Sequence, residues 1–180
     1  MNPAPNLTFV GPMGAGKTSI GRRVADRLGL RFVDVDQWIE HQLGVSIATI
    51  FELEGEAGFR RREREALSAL CAGEGQLIAT GGGAVLDPDN RSCLTNSAYV
   101  VWLRVSVDQQ LERLARDRSR PLLAALDRRQ RLEAMALGRN PLYASLADYV
   151  FESDSRKVSA AADRLASALR QRWQRLEAAA

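Results

Sequence analysis

Residues 9–20 read FVGPMGAGKTSI. Lys17 is one of only two lysines in a chain whose 25 lysine and arginine residues are otherwise all arginine. Gly11, Gly16, Lys17 and Thr18 satisfy G-x-x-x-x-G-K-[ST], with the apolar run NLTFV before them and a helix-period stretch (Ile20, Val24, Ala25, Leu28) after. Each part of that pattern has a physical reason. Glycines let backbone N–H groups turn inward and approach phosphate oxygens closely. A helix N-terminus adds unpaired donors and a dipole that favours an anion. Lysine is a compact charge on a flexible stem that can reach between two phosphates, where arginine's broad fork fits poorly. A hydroxyl at Thr18 is placed to ligate Mg²⁺. The stretch therefore reads as a phosphate-binding loop for a nucleoside triphosphate. It says nothing about where a transferred phosphoryl group goes.

Working outward, strand-like runs alternate with helix-like ones. RFVDV, QLIAT, AYVVWLRV and DYVFES follow NLTFV as strand candidates. Ser46 caps a helix that Gly55 breaks, Glu56–Cys71 forms the next, Asp108–Arg116 another, and Val158–Leu176 the last. Such alternation requires crossover connections, hence an α/β fold with a five-stranded parallel sheet flanked by helices on both faces. Ligands in such sheets bind at the carboxyl ends of the strands. Arg116–Arg131 has little periodicity, holds Pro121 and is arginine-rich, so it reads as an arm or lid outside the core.

The 180 residues suit one domain, and an apolar fraction of 46% allows a real core. Cys71 and Cys93 form no C-x-x-C pair, which argues against a metal site or disulfide framework and suits a reducing compartment. MNPAPN has no basic segment followed by an apolar run, and no apolar stretch approaches the about 20 residues of a membrane helix. A cytoplasmic protein without membrane partners is expected. The net charge is +3, but acids and bases are interleaved, as in FRRREREAL, with no aromatics among basic blocks. That pattern disfavours nucleic acid and suits small anionic substrates.

Four further clusters bear on the acceptor. Asp34 and Asp36 in FVDVD, at period two, are expected on one strand face at its carboxyl end, one holding Mg²⁺ through water and the other taking a hydroxyl proton. Arg60 in GFRRRERE and Arg139 in GRNPLY, where Pro141 is expected to fix a turn, could converge on one carboxylate. Gly81-Gly82-Gly83 ends the third strand and excludes side chains near a ligand. Arg120 in RDRSRPLL could close over the γ-phosphate and exclude water. Arg113, Arg116 and Arg118 read as solvated charges, His41 carries no assigned chemistry, and Trp38, Trp102 and Trp173 read as packing residues.

Taken together, GPMGAGKTSIGR, DVDQWIE, FELEGEAGFRRRE, ATGGGAV, RPLL and RNPLY closely resemble the shikimate kinase family over roughly residues 7–157. The resemblance implies the nucleoside-monophosphate-kinase-like P-loop fold with a mobile lid (about 114–128) and a substrate-binding helical region (about 36–62) within a single kinase domain. It implies transfer of the γ-phosphoryl of ATP to the 3-hydroxyl of shikimate, on the route to chorismate and the aromatic amino acids, by a monomer. Carried over by match, Gly14, Ala15, Gly16, Lys17, Thr18 and Ser19 bind the ATP phosphates, Thr18 ligates Mg²⁺, and Asp34 is its outer-shell carboxylate. Asp36 holds the substrate hydroxyls and serves as base. Arg60, Arg139, Gly82 and Gly83 bind shikimate, Arg120 sits on the phosphates, and Arg113 and Arg156 lie near adenine. Where many members read G-K-S-T this chain has Gly16-Lys17-Thr18-Ser19, which keeps the hydroxyl. The alternatives are a gluconate-kinase-like sugar-acid kinase, a nucleoside monophosphate kinase and a non-catalytic nucleotide-binding module.

Overall fold

The strand Asn6–Val10 (β2) is buried along its whole length. A strand with no wet face needs cover on both sides, and its residues divide by parity: Leu7 and Phe9 enter one core, Val10 the other. β5 (Ala98–Arg104) divides the same way, with Tyr99, Val101 and Leu103 on the first face and Val100 and Trp102 on the second. The computed structural model describes residues 2–115, 128–153 and 157–175. Around β2 and β5, β3 (Arg31–Asp34), β4 (Gln76–Ala79) and β6 (Tyr149–Glu152) complete a five-stranded sheet in the order β3-β4-β2-β5-β6, every pair parallel.

α1 (Lys17–Leu28) and α7 (Val158–Arg172) cover one face, burying Ile20, Val24, Ala25, Leu165 and Leu169. α3 (Ile47–Cys71), α4 (Pro88–Ser97) and α6 (Arg128–Leu146) cover the other through Phe59, Leu67, Leu70, Leu94, Tyr143 and Leu146. α2 (Val35–Leu43) and α5 (Val107–Leu114) stand at the carboxyl ends of β3 and β5. The break expected at Gly55 is present inside α3, where that residue adopts φ 68° and ψ −175°. Among the described residues no helix is long and apolar enough to cross a membrane.

Four local expectations are corrected. β3 ends at Asp34 and the chain turns at once into α2, so Asp36 lies in the first turn of a helix rather than on the strand face of Asp34. The Asp34 carboxylate caps that helix by accepting the Gln37 N–H at 3.3 Å, and this favours helix over strand continuation. Pro141 lies inside α6, so Arg139 projects from a helix and not from a turn; packing of Leu132, Tyr143 and Leu146 outweighs the missing N–H. Residues 128–131, assigned to the arm, begin α6. The last helix stops at Arg172, because Trp173–Arg175 (β7) pairs in parallel with Asn2–Ala4 (β1) and the Trp173 indole donates to the Ala4 carbonyl at 3.0 Å.

Candidate active site

The N-termini of α2, α3, α4 and α5 are capped by the side chains of Asp34, Ser46, Asp87 and Ser106. α1 has no side-chain cap and no acidic residue in its first turn; its N-cap is Gly16 at φ 91°. The start of α7 also lacks a side-chain cap, but only α1 follows a glycine-rich loop, which suits its start to an external anion. The loop before it is held tightly. Gly11 has φ 137°, and a Cβ there would fall 2.5 Å from the Leu103 carbonyl oxygen, so only glycine lets the loop pass over the end of β5. The Lys17 ammonium lies across the loop, donating to the carbonyls of Gly11 at 2.7 Å and Pro12 at 2.9 Å.

Thr18 donates its hydroxyl to Asp34 Oδ2 at 2.7 Å, joining the start of α1 to the end of β3. The helical turn that removes Asp36 from the strand thus leaves Asp34 beside the loop. A hard hydroxyl and one carboxylate fit Mg²⁺, which keeps much of its water and takes further oxygens from nucleotide phosphates. Among the described residues no group of three or more His, Cys, Asp and Glu is arranged to hold a metal ion, and a metal held in this way needs none.

After β4, on the side expected to take the acceptor, Gly81–Gly83 is a packed wall instead of a flexible turn. A Cβ on Gly83 would stand 2.6 Å from Arg60 Nη2. One on Gly81 would stand 2.7 Å from Glu63 Oε1 and 3.5 Å from Asp36 Oδ1. The Gly82 carbonyl accepts from the Tyr143 hydroxyl at 2.6 Å and from Arg139 Nη1 at 3.4 Å. Arg60 and Arg139, 79 positions apart in the chain as their numbers show, therefore meet on adjacent glycines. The first turn of α2, interior turns of α3 and α6 and the turn after β4 converge here, directly beside the phosphate loop: a Cβ on Gly82 would stand 3.5 Å from the Gly11 carbonyl oxygen and from Met13 N.

Two residues of this wall were missed in the sequence. Glu63 is fully buried and ion-paired with Arg60 at 2.7 Å. Burial pushes its carboxyl above the ordinary range, the Arg60 guanidinium pulls it back, and the charges of Asp36 and Asp87 add to the rise. Burial also works against the Arg60 charge, but the hydrogen bonds and charges of Glu63 and Glu56 carry its pKa upward, so the guanidinium stays charged. The signal for Glu63 was its spacing: it shares the apolar stripe of Phe59, Ala66, Leu67 and Leu70. Tyr143 is also fully buried, with its pKa pushed up to about 12 by burial, against the influence of Arg139. It lies one turn from Arg139 on α6.

Arg113 is brought to the phosphate loop by α5, donating to the Gly14 carbonyl at 2.9 Å. Arg120, with residues 116–127 of the expected lid, and Arg156 lie outside the described residues. The tryptophans pack as expected: Trp102 and Trp173 are buried, and Trp38 packs against the second core.

A family model described as shikimate kinase matches residues 13–170. The chain belongs to the shikimate kinase family. A shikimate kinase of Stenotrophomonas maltophilia (strain R551-3) is 57% identical over 175 residues, 97% of each chain. One from Xanthomonas axonopodis pv. citri is 56% identical over 173 residues, 96% of each. Among solved structures, a shikimate kinase from Acinetobacter baumannii in complex with shikimate superimposes with a TM-score of 0.88 at 40% identity, covering 93% of this chain and 94% of that one. Membership makes this chain an ATP-dependent small-molecule kinase on a P-loop fold and excludes the non-catalytic nucleotide-binding module.

Proposed function

We propose that this shikimate kinase transfers the γ-phosphoryl group of ATP to the 3-hydroxyl of shikimate, with Gly14, Ala15, Gly16, Lys17, Thr18 and Ser19 cradling the phosphates and the glycine wall receiving the acceptor. The meeting of Arg60 and Arg139 on Gly83 and Gly82 carries this reading, since two guanidinium forks beside backbone without side chains suit a ring carboxylate. Asp36, beside Gly81, orients the attacking hydroxyl and accepts its proton. Glu63 and Tyr143 keep Arg60 and the Gly82 carbonyl in place. Thr18 and, through water, Asp34 hold Mg²⁺, which supplies neutralising charge to the phosphates. Lys17 leaves its carbonyl partners for the phosphate oxygens. Arg120 closes over the γ-phosphate, and Arg113 and Arg156 lie toward adenine. Most of the rate then comes from positioning and electrostatics. The enzyme works as a cytoplasmic monomer.

A coupled ADP-release assay with shikimate, gluconate and AMP as alternative acceptors tests the reading. Turnover with shikimate alone is expected. Stimulation by gluconate or AMP without stimulation by shikimate would reassign the acceptor.

A further inference from the structure

Behind the phosphate loop, on the side away from the acceptor wall, is a buried hydroxyl that no motif contains. Ser153 follows β6 directly and is 2% exposed. Its N–H donates to the Arg104 carbonyl at 2.8 Å, which extends the β5–β6 ladder by one rung and fixes the residue to the sheet. Its hydroxyl donates to the Ala15 carbonyl at 2.8 Å and accepts from Arg113 Nη1 at 3.1 Å. The same Nη1 donates to the Gly14 carbonyl at 2.9 Å, and Nη2 donates to the Ser153 carbonyl. Two consecutive carbonyls of the loop are thus held from behind by one serine and one arginine.

We propose that Ser153 is a positioning residue for the phosphate cradle, acting through the peptide planes of the loop. A trans peptide points its C=O and the next N–H in opposite directions. Holding the Gly14 carbonyl turns the Ala15 N–H away from Arg113, and it donates within the loop to the Pro12 carbonyl at 3.3 Å. Holding the Ala15 carbonyl turns the Gly16 N–H the same way. Gly14 and Gly16 sit at φ 75° and φ 91°, where glycine has many alternatives, so the planes need an external restraint. A donor on each carbonyl also polarises the peptide and strengthens its N–H toward an anion. Ser153 is the clean probe of this device, because Arg113 is also assigned toward adenine.

The inference rests on the phosphate-loop assignment, and the experiment separates the two. ADP affinity is measured by titration calorimetry, with KM for ATP and for shikimate, in Ser153→Ala, Ser153→Thr and Lys17→Ala. Ser153→Ala is expected to weaken ADP and raise KM for ATP by about tenfold, the loss of one well-placed hydrogen bond. KM for shikimate should stay within about twofold, and Ser153→Thr, which keeps the hydroxyl, should recover most of the ADP affinity. Unchanged ADP affinity in Ser153→Ala beside a large loss in Lys17→Ala would overturn the positioning role alone. Equal rises in both KM values with a lowered Tm would reduce Ser153 to a structural residue. Unchanged ADP affinity in Lys17→Ala would overturn the phosphate-loop assignment itself. Should Ser153→Ala be too unstable to assay, Ser153→Cys keeps nearly the same shape with a much weaker donor and reads the same loss.

Discussion

The two halves of the site are built in opposite ways. The proposed phosphate half is a single contiguous loop, Gly11 to Ser19, offering backbone N–H donors, one ammonium and hydroxyls at an uncapped helix start. The proposed acceptor half is assembled from Asp36 on α2, Arg60 and Glu63 on α3, the glycines after β4, and Arg139 and Tyr143 on α6. Its charges are already engaged, including a buried carboxylate under Arg60. A phosphate is recognised by many equivalent donors that a short loop supplies. A small ring with one carboxylate and several hydroxyls needs a few distinct groups at fixed separations, which no single segment can provide.

If the halves are separable, changes on the acceptor side should leave ADP affinity alone. Asp36→Asn tests this most severely. Loss of the base should lower kcat by about a hundred- to ten-thousandfold, with ADP affinity by calorimetry within about twofold of wild type, because the swap is nearly isosteric. Turnover close to wild type would remove Asp36 from the base role. Arg139→Ala comes next: removing one fork of the carboxylate grip should raise KM for shikimate by about ten- to a hundredfold, with KM for ATP little changed. An unmoved shikimate KM would place the carboxylate elsewhere.

Gly83→Ala is a smaller but sharper probe, since no charge is touched. The new methyl would stand 2.6 Å from Arg60 Nη2, so the guanidinium must shift. KM for shikimate should rise by about five- to tenfold, as for one misplaced charge-assisted hydrogen bond, and the ADP titration should be unaffected. A weakened ADP titration in this variant would break the separation of the halves.

The smallest effect concerns Tyr143, whose hydroxyl fixes the Gly82 carbonyl. Its pKa in the folded protein is about 12, raised by burial from an ordinary value of 10. A folded pKa above the unfolded one contributes stability that is complete below pH ~10 and is lost as pH rises toward 12. Tyr143→Phe should lose about 1 kcal/mol at neutral pH for its hydrogen bond, and its deficit against wild type should shrink above pH ~10. Urea unfolding at pH 7, 9 and 11 measures both; a deficit independent of pH would mean the hydroxyl titrates normally.

This contrast governs what could be read in the sequence. The loop, the strand before it and the helix after it were legible because glycine spacing and hydrophobic period are local properties. The Gly55 break was legible for the same reason. Asp34 and Asp36 were misjudged as strand neighbours: FVDVD alternates like a strand, and only capping of α2 by Asp34 ends β3 between them. Pro141 was misjudged because its turn preference is local, whereas the burial of Leu132, Tyr143 and Leu146 that keeps α6 helical is not. Glu63 was hidden among the charges of FRRRERE, though its position on the apolar stripe carried a signal.

The sequence by itself determined the parallel α/β sheet, the phosphate loop with its required lysine, and the family, because these rest on period, spacing and residue type within short windows. Only the tertiary structure decided that Arg60 and Arg139 meet on adjacent glycines, that Glu63 lies buried under Arg60, and that Ser153 reaches Ala15 across 138 positions. The order of the strands brings those residues together, and strand order follows from which apolar faces can be covered at once, a property of the whole chain.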